Sequence, residues 1–319
     1  MMGSILDAAL FALSVTLPSI LLLVLGWYLR RSGQVDARFC DQASKIVFNY
    51  SMPALLFFSI YANKSDVADQ LNLILAGIVS SLVLFIGAEI VARWKVKDVR
   101  DQGVFVQGVY RANLMIMGLA FVSSAYGAPG VAMAAVYGGV ITLVFNILAV
   151  LTLSRASSKD GKFYPMAMVR QIITNPLIIA IVLALVARAL HVPVSPLLAE
   201  TGRYLSVLAL PLALICAGAT LDIRSLFKVS DVSLWSSLGR LFVAPLVAVV
   251  TGLAFGLDGM SMGVFFLMSA TPVAAASYVM AKAMGANDVA AANIVGLTTI
   301  GAMPVAAIGI ASLRLVGWM

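Results

Sequence analysis

The residues of this sequence best suited to chemistry are polar side chains that stand inside long apolar runs. Asn113 lies in one such run, and Thr271 lies beside Pro272 in another. A buried amide or hydroxyl needs a hydrogen-bond partner, and both groups can donate to an anion such as a carboxylate. Pro272 lacks an N–H and clashes with the preceding turn, so we expect it to free the Met268 carbonyl and to interrupt the helix.

An interruption at that place would expose a helix N-terminus near the middle of the membrane. Such an end carries roughly half a positive charge and unpaired N–H groups that bind carboxylates. Ser277 would add a hydroxyl. Arg111 and Arg240 also stand well inside apolar runs, where a charge costs roughly 2.5 to 3.5 kcal/mol. A carboxylate ligand would explain either charge; the alternatives are snorkelling to the cytoplasmic interface and pairing with Glu89.

These observations give one candidate set for binding a small carboxylate. Its members are Asn113, Thr271, Pro272, Arg111, Gly118, Ser277 and Asn293. For Asn293, packing between helices is an equally good interpretation. The sequence has no HExxH or GxSxG motif, one His and no pair of intramembrane carboxylates, so we predict no catalytic residue, no metal ligand and no cofactor. Cys40 and Cys216 belong to no CxxC motif and are interpreted as small apolar residues.

The chain that must position these residues has the composition of a membrane protein. Of its 319 residues, 62% are hydrophobic and 11% are charged, and the mean hydropathy is +1.03. No water-soluble domain of this size covers its surface with so few polar residues. The long continuous apolar runs exclude a β-barrel. The net charge of +7 comes from Lys and Arg at the ends of the runs, so we predict no nucleic-acid partner.

Ten apolar runs, each about the roughly 20 residues that a bilayer requires, predict ten transmembrane helices. They lie near residues 8–29, 41–62, 69–92, 102–126, 129–153, 166–190, 203–222, 230–256, 260–284 and 288–316. Lys and Arg concentrate in the loops on one side of the membrane. The positive-inside rule places that side, including the 154–165 loop, in the cytoplasm and both termini outside.

The chain also repeats itself with a constant spacing of 158 residues. The pairs that show it are Pro18 and Pro176, Pro53 and Pro211, Gly127 and Gly285, and Gly138 and Gly296. The same spacing aligns Asn113 with Thr271. We predict two five-helix halves, residues 1–155 and 166–319, joined by a cytoplasmic linker over 156–165. Because five is odd, the halves are inverted, as in many secondary transporters, whose substrate site lies at the midplane where the repeats meet.

Five segments of the sequence resemble the auxin efflux carrier family, whose bacterial members include organic-acid and malonate permeases. They read MPALLFFSI (Met52 to Ile60), RANLMIMG (Arg111 to Gly118), PLALICAGATL (Pro211 to Leu221), TPVAAASYVMAKAMGAN (Thr271 to Asn287) and IVGLTT (Ile294 to Thr299). The resemblance implies an all-α, ten-helix fold like that of bile-acid and sodium/proton transporters, in which broken helices 4 and 9 cross. It also implies a scaffold of helices 1, 2, 6 and 7, a moving transport domain, an elevator-type motion and a homodimer.

One position departs from the family pattern. The family commonly has a proline two residues after the glycine of the fourth helix, and here that residue is Ala120. We therefore expect the fourth helix to be less broken than the ninth.

The sequence therefore predicts a multi-pass protein of the bacterial inner membrane that carries a small mono- or dicarboxylate by alternating access. Besides the lipid bilayer and the carboxylate, a second copy of the chain and a coupling ion, either proton or sodium, are candidate partners. Two alternatives stay open: a sodium-coupled carrier of the bile-acid type, and an organic-acid receptor or channel without coupled transport.

Overall fold

A computed structural model of the chain describes residues 2–62, 70–153, 173–220 and 230–319. Within these ranges the regular structure is helical, and one isolated β-bridge is the sole strand-like pairing. Within these ranges seven continuous helical segments, some of which join two α-helices through a π-helical turn, are long and apolar enough to cross a membrane. The chain is thus an all-α, multi-pass membrane protein. The predicted linker over 156–165 and the beginning of the sixth run lie outside the described residues.

Thirteen α-helices are described, and we number them in chain order. They are α1 (Met2–Arg31), α2 (Ala37–Ile46), α3 (Met52–Ala62), α4 (Leu71–Lys95), α5 (Val99–Tyr110), α6 (Leu119–Leu153), α7 (Pro176–Ala189), α8 (Pro196–Ala219), α9 (Asp231–Leu238), α10 (Ala244–Ala254), α11 (Gly259–Ser269), α12 (Ala276–Ala283) and α13 (Asp288–Val316). Three π-helical turns, Val47–Ser51, Leu114–Gly118 and Gly239–Val243, join α2 to α3, lead into α6 and join α9 to α10.

Side-chain caps explain two helix starts that differ from the apolar runs. The sixth run was expected from residue 166, but the Asn175 side chain accepts a hydrogen bond from the Leu177 N–H and starts α7 at Pro176. The seventh was expected from residue 203, but Ser195 caps α8 at Pro196. Proline at the first helical position suits both starts. Charged residues in the first turns of α8 hid its true beginning from the hydropathy pattern.

Positive backbone φ angles occur at two glycines that the 158-residue spacing pairs. Gly127 has φ 59° and divides the continuous 114–153 helical segment at a kink. Gly285 has φ 72° and lies between α12 and α13. Residues with a Cβ rarely adopt this conformation, so glycine is the natural residue at both bends.

Small residues bring α1 and α8 into backbone contact. A Cβ built on Gly26 would lie 2.0 Å from the Ile215 carbonyl oxygen, and one built on Gly218 would lie 2.0 Å from that of Leu23. Membrane helices associate closely where glycine removes the side chain from the interface. Cys40 and Cys216 are free thiols buried together in a small cluster at the end of this helix pair, as suits small apolar residues.

The interrupted segments form the centre of the molecule. Every residue from 103 to 110 of α5 and from 262 to 268 of α11 is buried. By contrast, α1, α4 and α8 carry many exposed leucine, isoleucine and valine side chains. An apolar surface of this kind suits lipid, so α5 and α11 are enclosed by helices that face the bilayer.

Candidate functional site

Two extended segments meet where helices are interrupted, and we call residues 111–113 and 270–275 the crossing. The Asn113 N–H donates to the Pro272 carbonyl oxygen at 2.8 Å, and the Ala274 N–H donates to that of Arg111 at 3.0 Å. An antiparallel β-bridge between Ala112 and Val273 lies between these bonds. The interruption predicted at Pro272 is present, and Asn113 lies directly beside it.

The fourth helix is interrupted without a proline. Its break covers three residues, 111–113, against six residues, 270–275, in the ninth. Arg111 (φ −83°, ψ 88°) and Asn113 (φ −83°, ψ 68°) have angles near those of an inverse γ-turn, and the Ala112 N–H donates to the Tyr110 carbonyl at 3.0 Å. The break is shorter, as Ala120 led us to expect, but γ-turn geometry still ends the helix completely.

The carbonyl that Pro272 leaves without its helical donor has another donor. The Thr271 Oγ1 donates to the Met268 carbonyl oxygen at 2.9 Å, and Thr271 is only 1% exposed. On the other side of the break, the Val273 N–H donates to the Thr298 Oγ1 at 3.1 Å. Hydroxyls on both sides therefore satisfy backbone groups that the interruption would otherwise leave unpaired in an apolar surround.

Arg240 binds the carbonyl ends of both interrupted helices. Its Nε donates to the Thr271 carbonyl at 2.9 Å, its Nη1 donates to those of Val109 and Tyr110 at 3.2 Å each, and its Nη2 donates to that of Ser269. The side chain lies on the Gly239–Val243 π-turn and is 2% exposed. Backbone carbonyls at helix C-termini are thus the acceptors of its hydrogen bonds.

Arg111 is buried at the same crossing but is held by side chains. Its Nη1 donates to the Gln107 Oε1 at 3.1 Å and contacts the Met280 Sδ at 2.8 Å, and its Nη2 donates to the Asn146 Oδ1 at 2.9 Å. The residue is 5% exposed. All these acceptors are neutral.

Neither arginine follows the alternatives considered from sequence. Both side chains stay inside the protein instead of snorkelling, and Glu89 forms its ion pair with Arg93, at 3.7 Å. Across the described ranges, neither Arg111 nor Arg240 has a carboxylate within 4.0 Å. The crossing therefore combines two buried guanidinium groups with neutral partners, and its net charge is positive.

Comparison with known proteins agrees with a multi-pass membrane protein. A family model described as membrane transport protein matches residues 11–157 and 162–310, which together make up most of the chain. The chain belongs to the membrane transport protein family. It is also similar to an uncharacterized transporter of Methanothermobacter thermautotrophicus, with 27% identity over 271 residues, 83% of this chain and 87% of that protein. The resemblance to the auxin efflux carrier family is confirmed, and both matches point to a transporter rather than an enzyme.

In this membrane transport protein the N-terminus of α12 is the accessible helix end at the crossing. Ala275 and Ala276 are exposed. The N–H groups of Ser277 and Tyr278 donate to the carbonyls of Ala274 and Ala275, which closes the first turn. Because Ala275 and Ala276 are exposed, the positive end of the α12 dipole can be approached by a ligand even though two of its N–H groups are bonded within the turn, whereas the carbonyl ends of α5 and α11 are occupied by Arg240.

A small cavity beside α12 is lined by two polar side chains, Gln107 and Ser277, together with apolar residues that include Val273 and Ile294. It measures about 10 Å³, the room for about one water. Among the described residues the Gln107 Nε2 and the Ser277 Oγ have no hydrogen-bond partner, although both side chains are buried. Unpaired groups of this kind are rare in folded proteins and call for a water or a ligand.

The other predicted residues have different surroundings. Gly118 packs on α11, since a Cβ there would lie 2.6 Å from the Met268 Sδ. Asn293 is buried on α13 and does not line the cavity. Gln107 was not among the residues predicted from the sequence, and Arg240 was not expected to contact the broken helices. The position of Gln107, one helical turn before Arg111, was the available signal for a contact between the two side chains.

Proposed function

We propose that this protein is a secondary transporter that moves a small mono- or dicarboxylate across the bacterial inner membrane by elevator-type alternating access. The observation that supports an anion most strongly is the guanidinium of Arg111, which is buried at the crossing and bound by neutral side chains. A buried charge is normally compensated, because an uncompensated one loses its hydration without a gain. A bound carboxylate supplies that compensation.

The proposed binding site lies at the N-terminus of α12. A carboxylate there interacts with the positive helix end and with the side chains of Asn113 and Ser277, while Arg111 lies in the adjacent turn. Two unit charges 4 Å apart interact by about 4 kcal/mol at an effective dielectric constant of 20, which is enough to select anions over neutral molecules. Thr271 and Pro272 act by shaping the backbone that carries the site.

We further propose that the chain crosses the membrane ten times as two inverted halves, residues 1–155 and 166–319, with both termini outside. The bend at Gly127 divides one long helical segment into a fourth and a fifth span. The shorter apolar helices α7 and α11 complete the sixth and ninth spans. Gly285, with its positive φ, takes the equivalent place in the second half. These features support the repeat that the 158-residue spacing indicates.

The elevator motion is supported by a cavity between the two groups of helices. The proposed scaffold consists of spans 1, 2, 6 and 7, which correspond to α1, α2 with α3, α7 and α8. In it α8 packs on α1 and on α3, and α7 packs on α3. A cleft of about 360 Å³ lies between α1, α3 and α8 on one side and the start of α6, the helix that follows Asn113, on the other. Its lining is mainly apolar but includes the side chains of Ser19, Ser123, Ser124, Arg203 and Ser206. These hydroxyl groups and the Arg203 side chain offer an anion polar contacts along the proposed moving domain.

Substrate counterflow in proteoliposomes tests the proposal. Vesicles loaded with one unlabelled carboxylate from a panel of mono- and dicarboxylates should accumulate the same labelled acid, and the accumulation should saturate. Uptake that requires sodium would instead favour the bile-acid type of carrier. Flux that does not saturate would indicate a channel, and thermal stabilisation by an acid without any flux would indicate a receptor.

A further inference from the structure

The acceptors of Arg240 form a cage that resembles a cation site. They are four backbone carbonyl oxygens, two from the end of α5 and two from the end of α11 and the residue shortly after it. The last carbonyls of a helix have no intrahelical donor and together carry about half a negative charge. Two such ends brought together repel one another unless a cation stands between them.

Inorganic cations bind to the same kind of backbone in secondary transporters. Unwound carbonyls and the C-terminal ends of half-helices coordinate sodium near the midplane of the membrane. In this protein the guanidinium of Arg240 fills that position. It comes from the π-turn between α9 and α10, so a covalent tether holds the charge in place.

We propose that Arg240 is a tethered substitute for a coupling cation, which keeps the two broken helices together without sodium. Removal of the guanidinium would then leave a vacant cage of carbonyls that binds a free cation. Free guanidinium should bind best because it matches the lost group, and sodium should bind more weakly. The cavity that adjoins Arg240, lined by Ser80, Ser81 and Tyr137 among others, measures only about 10 Å³, the room for one water, so a free cation would mainly occupy the space that the removed side chain vacates. The comparison of Arg240 with a coupling cation rests on the proposed transport function. The claim that its charge holds the four carbonyls together does not depend on that function.

Thermal unfolding of the purified protein in detergent tests the proposal. The unfolding temperature of the Arg240→Ala variant should lie on the order of 10 °C below that of the unsubstituted protein, because four buried carbonyl groups lose the cation that pairs with them. Guanidinium chloride at about 20 mM, too dilute to denature, should recover at least half of that loss. Sodium chloride should recover part of it relative to choline chloride at equal ionic strength.

Two proteins serve as controls, and guanidinium should stabilise neither of them. One is the unsubstituted protein, and the other is the Arg93→Ala variant, which removes an exposed arginine from α4. Arg240→Lys, which keeps a tethered charge, should be intermediate in stability and should not respond to sodium. If Arg240→Ala gives no folded protein, Arg240→Gln takes its place, since it keeps hydrogen-bond donors but has no charge.

The proposal is overturned if the neutral variants are as stable as the unsubstituted protein, or if neither cation restores them more than choline does. Because the measurement is stability, it gives an answer even if the chain carries no carboxylate. Conversely, carboxylate counterflow with no cation rescue would reject the tethered cation and leave the proposed function in place.

Discussion

At the scale of single residues, the two buried arginines differ in what holds them. Arg240 binds four backbone carbonyls, which cannot move unless the helices move. Arg111 binds the side chains of Gln107 and Asn146, which can change rotamer when a ligand arrives. We therefore assign Arg240 to the frame of the site and Arg111 to the part that can respond to a carboxylate.

The amide of Asn113 belongs to the proposed binding site, so its removal should weaken transport and leave the fold intact. We expect Asn113→Ala to lower kcat/KM for the carboxylate found by counterflow by at least about tenfold, equivalent to about 1.4 kcal/mol. Initial rates of uptake into proteoliposomes measure this. The matched control is Asn72→Ala, which removes an exposed amide at the start of α4. Equal rates for both variants would remove Asn113 from the site.

The hydroxyl of Thr271 should matter for stability. In Thr271→Val the side chain keeps its shape, but the buried Met268 carbonyl loses the donor that replaces the missing proline N–H. Leaving a buried acceptor unpaired costs about 1 to 3 kcal/mol. Unfolding midpoints in denaturant measure the loss. Ser312→Ala removes a similar hydroxyl-to-carbonyl bond on an exposed helix face and should have little effect; a Thr271→Val protein as stable as that control would contradict the assignment.

At the scale of elements, the crossing is held by bonds between segments as well as by proline. Two backbone hydrogen bonds join residues 111–113 to residues 270–275, and Thr298 supports the latter from α13. The three-residue break shows that γ-turn geometry ends a helix without any proline. The two interruptions therefore stabilise one another, which explains how non-helical backbone persists inside a membrane protein.

The contact between α1 and α8 leads to a prediction for the scaffold. An added methyl at Gly218 would meet the Leu23 carbonyl at 2.0 Å, so Gly218→Ala should force the helices apart and destabilise the protein by about 1 to 3 kcal/mol. Gly87→Ala is the control, because a Cβ there meets nothing within 4 Å and alanine favours a helix. The unfolding temperatures of the two variants measure the difference in stability. A Gly218→Ala protein as stable as Gly87→Ala would show that the two backbones do not approach closely.

At the scale of the whole molecule, the charge distribution at the crossing leads to a prediction about the coupling ion. The crossing holds two guanidinium groups, and within the described residues no carboxylate pairs with either. A coupling sodium ion would have to compete with Arg240 for the carbonyls at the ends of α5 and α11. The apolar faces of α1, α4 and α8 meanwhile suit a scaffold and outer shell embedded in lipid.

Transport should accordingly respond to membrane potential and not to sodium. We expect carboxylate uptake into proteoliposomes to be unchanged when sodium is replaced by choline, and to rise several-fold when a potassium gradient with valinomycin makes the interior positive. Labelled uptake at fixed pH, with and without the ionophore, measures both effects. Uptake that ceases in choline would favour sodium coupling, and no response to potential would show that a compensating ion moves with the anion.

Features governed by local physics were predictable from sequence. The class of protein followed from the apolar composition, and the break near Pro272 followed from a missing N–H. The predicted ends of the fourth and ninth apolar runs, at residues 126 and 284, lie next to the bends at Gly127 and Gly285. The start of α8 was predicted less well, because Glu200 and Arg203 lower the hydropathy of its second turn.

The tertiary structure alone decided what the buried charges touch. The four carbonyl acceptors of Arg240 lie between 29 and 131 positions away along the chain. Asn146, which accepts a hydrogen bond from Arg111, lies 35 positions from it. A long side chain can contact any of several neighbouring helices, and residue spacing does not tell which one. The apolar runs and the break at Pro272 were therefore determined by the sequence itself, whereas the identity of the groups that bind the two buried arginines was decided by the packing of helices distant in the chain.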